Sequence, residues 1–299
     1  MQDGFIIEWA PITTFRNMNE INGLSPLQYA QQHCCKGDLD CSWYHGNWHL
    51  LKALGVVSTS AVHSESIGRL LKLAVAGTVE PKILLSGSTD ETLIRLVHDT
   101  CSALGIREKL YAVDICATPL AFMQAYAEQN GIELVTVHSD ILEFETVEKF
   151  DVILTHAFMG YFDETQRPLL TRQWRQLLSD EGRIVTIQRV RPASSLLPVS
   201  FTAQQSSHFV AAAVEAVNAM DAGDRPEVET VRQAAADFAN NFSIHPITSR
   251  SALESLFTDA GLMFETLEYH SLDKIGELSG PSVPSAAEFA HIIAGKSQD

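Results

Sequence analysis

The sequence predicts an α/β fold built on a mostly parallel, doubly wound sheet. Short apolar runs alternate with helical stretches from about residue 80 to 192, the rhythm of βαβ units. The runs are apolar throughout rather than at alternate positions, as strands are when helices cover both sheet faces. Polar turns follow the runs, at the strand ends where open α/β sheets bind ligands.

Residues 1–24 read as an arm or loop, and 25–77 as mostly helical. Ser25 before Pro26 gives a helix cap followed by a proline in the first turn. Trp43, Tyr44 and Trp48 crowd the next helical segment. Ser64–Ala76 carries Ile67, Leu70, Leu71 and Leu73 at helical spacing. Lys82–Leu85 is the first strand, ended by Ser86-Gly87-Ser88, and Thr89–Leu104 is a helix. Leu110–Val113 is a second strand ended by Asp114, and Ala117–Gln129 a helix stopped by Asn130-Gly131. Glu133–Val137 is a third strand, followed by Ser139-Asp140, and Asp151–Thr155 is a fourth. Asp163 is placed to cap a helix through Leu178, with Leu169, Leu170, Trp174, Leu177 and Leu178 inward. Asp180-Glu181-Gly182 turns into a fifth strand, Arg183–Val190.

The rhythm then breaks. Residues 193–249 hold two helices, at about 202–222 and from Asp224 or Pro226 onward, the second with Val228, Val231, Ala235 and Phe238 on one stripe. Residues 250–260 are helical, closed by Gly261; Met263–Tyr269 and Glu288–Ala294 are a sixth and a seventh strand. The expected organisation is an arm and helical cap over 1–79, a core over 80–192, a helical lid over 193–249 and completion of the sheet over 250–299.

Composition narrows the function. The chain has 299 residues with Lys plus Arg 21 against Asp plus Glu 37, a net charge of −16. Such a field repels nucleic acid. No stretch of about 20 apolar residues exists to span a membrane, and Glu8 and Pro11 break the N-terminal apolar run, so no signal peptide is expected. The five cysteines are an odd number, and Cys101 and Cys116 sit in apolar segments. A reducing, cytoplasmic setting is expected. Expected partners are a small-molecule acceptor and at most a second copy of the chain, with no nucleic acid and no membrane.

The strand-end residues carry the chemistry. The turn ILLSGSTDET has one glycine, Gly87, and is neither a dinucleotide fingerprint nor a P-loop. Asp90 and Glu91 there disfavour phosphate and suit a cationic ligand. Asp114 is placed to accept ribose hydroxyls, and Asp140 with Ile141 to meet an adenine amino group and ring.

The ordered segments KILLSGSTDE, YAVDICATPL, TVHSDILEF, FDVILTHAFMGYFD and LLSDEGRIVTI resemble class I S-adenosylmethionine-dependent methyltransferases. The resemblance covers residues 80–192 and continues through 250–295. It implies a Rossmann-like seven-stranded sheet with an antiparallel last strand. It implies S-adenosyl-L-methionine as cofactor, held by Gly87 and Ser88, by Asp114 and Ile115, by Asp140 and Ile141, and by Thr155, His156 and Ala157. The chain departs from the family at Leu85, where an acid is usual, and at Thr89 and Glu91, where glycines are.

His156, His45 and Tyr44 are the catalytic candidates, with His245 a weaker base; Trp43 and Trp48 are read as packing. His33, Cys34, Cys35, Cys41 and His45 invite zinc, but their spacing matches no paired C-x2-C pattern. They are read as reduced thiols and no metal is expected. The reading is methyl transfer to a small-molecule acceptor, with O, N and S unresolved. The alternative is an enzyme or ligand-binding protein of this fold that binds the adenosyl cofactor without methylating.

Overall fold

Strands and helices alternate as the apolar runs require, and the strand order shows where the chain reverses. The computed structural model describes residues 20–21, 23–34, 40–192, 196–223, 225–271 and 287–297. The expected arm up to residue 19, Cys35 and Asp224 lie outside the described residues.

The sheet is formed by β1 (Lys82–Ser86), β2 (Lys109–Asp114), β3 (Leu134–His138), β4 (Phe150–His156) and β5 (Leu178–Val190), completed by β8 (Leu262–Ser271) and β9 (Glu288–Lys296). A two-residue ribbon, β6 (Val199–Ser200) with β7 (Ser243–Ile244), stands apart. The seven-strand order is β3-β2-β1-β4-β5-β9-β8. β1 to β5 run parallel, and β9 lies antiparallel between β5 and β8. β1 pairs with β2 on one side and β4 on the other. The chain therefore switches direction across the sheet beside β1, opening a crevice at the strands' carboxyl ends.

Adjacent residues of each strand serve opposite cores. Ile83, Leu85, Val152, Leu154, Val185 and Ile187 pack with α3 (Ser64–Ala74), α4 (Thr92–Ala103) and α5 (Ala117–Asn130). Leu84, Ile153 and Ile184 face α6 (Arg167–Leu177) and α9 (Arg250–Thr258), with Trp174 and Phe257 filling that side. Both faces are covered, which is why the strands carry no polar stripe. α3, read with the cap, lies in the sheet-covering layer.

A third cluster is the cap itself. α2 (Ser42–Ala53) packs on α7 (Ala203–Asn218) and α8 (Val228–Asn241) through Tyr44, Trp48, Leu51, Phe209 and Phe238. α1 (Pro26–His33) starts with a Ser25–Gln28 capping box and lies against α2. Their contact is close enough to need a glycine: a Cβ at Gly46 would stand 2.8 Å from the Leu27 side chain.

Several local expectations are corrected. α4 begins at Thr92 rather than Thr89, because Asp90 Oδ1 accepts the Thr92 N–H and holds the preceding residues in a turn. Asp163 makes the same kind of turn, accepting from Thr165 and Gln166 N–H, so α6 starts only at Arg167. Leu178 begins β5 opposite Phe150 instead of ending the helix. Leu73 and Leu169, expected inward, are 52% and 51% exposed. No described helix is long and apolar enough to cross a membrane.

Candidate functional site

A cavity of about 620 Å³ opens at the carboxyl ends of the parallel strands, roofed by α2 and α8. Its floor carries Gly87, Ser88, Asp114, Ile115, Asp140 and Ile141. The sequence had named all six, because each follows directly from a strand end.

Asp114 closes β2. Its Oδ1 accepts the Cys116 N–H at 2.8 Å and its Oδ2 the Ser88 N–H at 3.3 Å. The carboxylate thus bridges the β1 and β2 turns and keeps lone pairs for a ligand. Burial pushes its carboxyl up to about 6, opposed by the nearby His45 and those backbone bonds. Asp140 Oδ1 accepts the Leu142 N–H at 2.9 Å, which fixes the turn after β3 beside Ile141.

Gly87 has φ +70, and a Cβ there would fall 2.2 Å from the Phe158 ring. Both the left-handed backbone and the close ring require glycine. The inner side of this turn is therefore occupied by Phe158. Asp90 and Glu91 share one cation. Lys52 Nζ lies 2.9 Å from Asp90 Oδ2 and 2.8 Å from Glu91 Oε1, and Trp48 Nε1–H donates to Asp90 at 2.8 Å. Burial opposes ionisation of Asp90, but the Lys52 charge and these hydrogen bonds hold it well below the usual carboxylate range. Lys52 offsets one of the pair's two negative charges, so the turn keeps a net negative charge.

The opposite wall comes from β4, β5 and the helix-like turn Phe158–Tyr161. His156 lines the cavity, and its Nε2 is 2.9 Å from His63 Nδ1. Burial, with Arg189 and His291 nearby, lowers His156 to about 4. Burial and His156 lower His63 to about 3. Both imidazoles are neutral at neutral pH, and each is a weak base. Thr155 is buried on the other sheet face, does not line the cavity and leaves Oγ1 without a hydrogen-bond partner. It is therefore not among the residues that line the cavity, where the sequence had expected it.

The aromatic segment reaches the cavity. Tyr44 stacks on Phe238, and its hydroxyl meets Tyr161 Oη at 2.9 Å and Thr89 Oγ1 at 3.2 Å. Trp43 and Trp48 both pack the cap and line the cavity. His45 touches the cavity, but its Nδ1 is directed at Cys34 Sγ, 3.7 Å away. His245 lines the far wall, where its N–H donates to Gly160.

Sequence reasoning missed His63, Tyr161, Arg189 and Arg191, all of which line the cavity. The alternation Arg189-x-Arg191 at the end of β5 was a readable signal, since period two puts both on one face. Arg189 lies 5.1 Å over the Phe289 ring, and its buried Nε has no hydrogen-bond partner. Burial lowers Arg189, and burial with Arg189 lowers Arg191 to about 10.

Solved structures of methyltransferases are similar to this chain. One from Clostridium acetobutylicum ATCC 824 aligns with TM-score 0.52 and 10% identity over 85% of this chain and 99% of its own. The N-methyltransferase NodS from Bradyrhizobium japonicum WM9, solved with S-adenosyl-L-homocysteine, aligns with TM-score 0.45 and 14% identity over 77% of this chain and 85% of its own. A candidate O-methyltransferase from Nostoc punctiforme PCC 73102 aligns with TM-score 0.46 and 14% identity over 85% of this chain, which covers 61% of that one. No protein-family model and no curated protein sequence matches the chain. At these identities the likeness is one of fold: the sheet order and helical layers are those of the class I methyltransferase fold.

Proposed function

We propose that this protein is an S-adenosylmethionine-dependent methyltransferase acting on a small molecule enclosed in the cavity. One observation carries the reading: a cavity of about 620 Å³ joins the Asp114–Asp140 floor to an aromatic, histidine and arginine wall. That volume falls within the ~300–1,000 Å³ of small-molecule sites. The residues present fit the adenosyl half of the cofactor. Asp114 accepts ribose hydroxyls while its backbone bonds hold it in place, and Asp140 with Ile141 borders the base.

The cofactor supplies a methyl group already activated on a sulfonium, so the protein's task is alignment and exclusion of water. Tyr44 and Tyr161 present linked hydroxyls to the acceptor side. Neutral His156, held by His63, can accept a proton from an acceptor hydroxyl or amine. Arg189 supports an acceptor bearing an anionic group, because its guanidinium lines the cavity and forms no ion pair among the described residues.

A second reading, adenosyl-ligand binding without methyl transfer, is favoured by the Phe158 ring seated on Gly87. S-adenosylhomocysteine binding by calorimetry, followed by transfer of labelled methyl from the cofactor to candidate acceptors, separates the two. Absence of S-adenosylhomocysteine binding would defeat both.

A further inference from the structure

Four ligand-type side chains converge beside the cavity, outside the adenosyl floor. Cys34 follows the last turn of α1 and Cys41 precedes the first turn of α2. His45 stands four residues after Cys41 and so shares its helix face. Cys116 is the residue before α5, at the far end of the β2 turn. Three Sγ atoms and one imidazole nitrogen all lie within 4.8 Å of one another. Cys34 Sγ is 3.3 Å from Cys116 Sγ and 3.7 Å from His45 Nδ1.

The two shortest of these separations lie close to the edges of one coordination tetrahedron. Zn–S distances of ~2.3 Å and Zn–N of ~2.0–2.1 Å place neighbouring ligand atoms ~3.5–3.8 Å apart. A polynuclear iron–sulfur cluster holds its cysteines around several iron atoms and needs a wider cage than 4.8 Å. Cys34 and Cys116 are buried, and the Thr118 hydroxyl stands 3.1 Å from Cys34 Sγ, placed to donate to a bound thiolate.

We propose that Cys34, Cys41, His45 and Cys116 bind one zinc ion in a closed Cys₃His site that fastens the helical cap to the cofactor-binding core. Binding exchanges the three thiol protons, released to solvent, for three zinc–sulfur bonds, while neutral His45 supplies a nitrogen lone pair. No electron changes hands. With four protein ligands there is no open position, so the ion is structural. Its place is consequential. The Cys116 N–H donates to Asp114, so the ion fixes the carboxylate that the proposed function assigns to ribose. The metal site itself does not depend on that assignment.

The test is metal content of the purified full-length protein, kept reduced, measured by mass spectrometry of the metal. Near-stoichiometric zinc is expected in the wild type, lost in Cys34→Ser and Cys116→Ser but kept in Cys101→Ser, a buried free cysteine outside the cluster. If the serine variants fail to fold, Co(II) exchange into the wild type answers the question alone. A tetrahedral site with three thiolates gives intense d–d bands and a thiolate charge-transfer band. A protein that takes up neither Zn(II) nor Co(II) overturns the proposal. So does a Cys34–Cys116 disulfide in peptide maps of the protein purified under reduction. Loss of S-adenosylhomocysteine binding with zinc retained would count against the proposed function and leave the metal site standing.

Discussion

Asp114→Asn changes one atom's chemistry at the residue on which the cofactor reading depends most. The carboxylate holds the β1 and β2 turns through the Cys116 N–H at 2.8 Å and the Ser88 N–H at 3.3 Å. Asparagine keeps one acceptor oxygen, so the shorter bond survives and the longer one is lost. A typical internal hydrogen bond contributes about 0.5–1.5 kcal/mol net. Removing a buried charge offsets part of that. Stability should therefore change by no more than about 1 kcal/mol. Ribose hydroxyls donating to a carboxylate make bonds of about 1.5–3 kcal/mol each, and the amide end of asparagine cannot accept one. The dissociation constant for S-adenosylhomocysteine should rise about 10- to 100-fold. Calorimetric titration of both proteins reads this directly, and ligand-free melting curves read the fold. Equal affinities with equal melting temperatures would refute the assignment of Asp114 to the ribose. A collapsed melting temperature with unchanged affinity would make the residue purely architectural.

Thr155→Val should leave S-adenosylhomocysteine affinity unchanged and hold or raise the melting temperature, since it removes a buried hydroxyl that has no partner; weaker binding would return Thr155 to the site. His156 is lowered to about 4 from 6.5, so the unfolded chain binds the extra proton first. Its contribution to stability is complete above about pH 6.5 and is lost as pH falls toward 4, at up to about 1.4 kcal/mol per pH unit. Denaturant unfolding at neutral pH and near pH 5 should show this, and His156→Asn should make the dependence shallower, His63 and His291 supplying the rest; an equally steep variant would acquit His156. Tyr44→Phe should lower turnover on an identified acceptor with little change in cofactor affinity; unchanged turnover would confine Tyr44 to packing. Arg189→Ala should raise KM for an anionic acceptor far more than for a neutral analogue, and equal effects on both would remove the anionic-group assignment.

The first four strands were legible because a sheet covered on both faces leaves few polar residues inside a strand, so each apolar run marks its own ends. Asp114 and Asp140 could be found for that reason alone: each is the first acid after a run. Helix starts were less legible. Asp90 and Asp163 hydrogen-bond backbone N–H groups ahead of the helix, and in sequence a residue closing a turn looks like one capping a helix. The cation pairing of Asp90 and Glu91 was invisible, because Lys52 arrives from α2 in a different layer.

Thr155 and His156 show the limit most sharply. Both end β4, both match the same stretch of the family pattern, and sequence gives no ground for separating them. The pleat does. Ile153 serves the α6–α9 core while Val152 and Leu154 serve the α3–α4 core, so Thr155 follows the first and His156 the second. Beyond the end of β4 only the second face has His63 within hydrogen-bond reach, and it shares that face with Arg189 and His291, whose charges push His156 down. A single residue of parity thus decides which neighbour is a hidden hydroxyl and which meets the cavity. The same rule puts Arg189 of β5 on the His156 face, and the short helical turn Ser60–His63 brings His63 against it. Strand parity, once the two cores are known, is the physical reason that His156 and Arg189 share that wall.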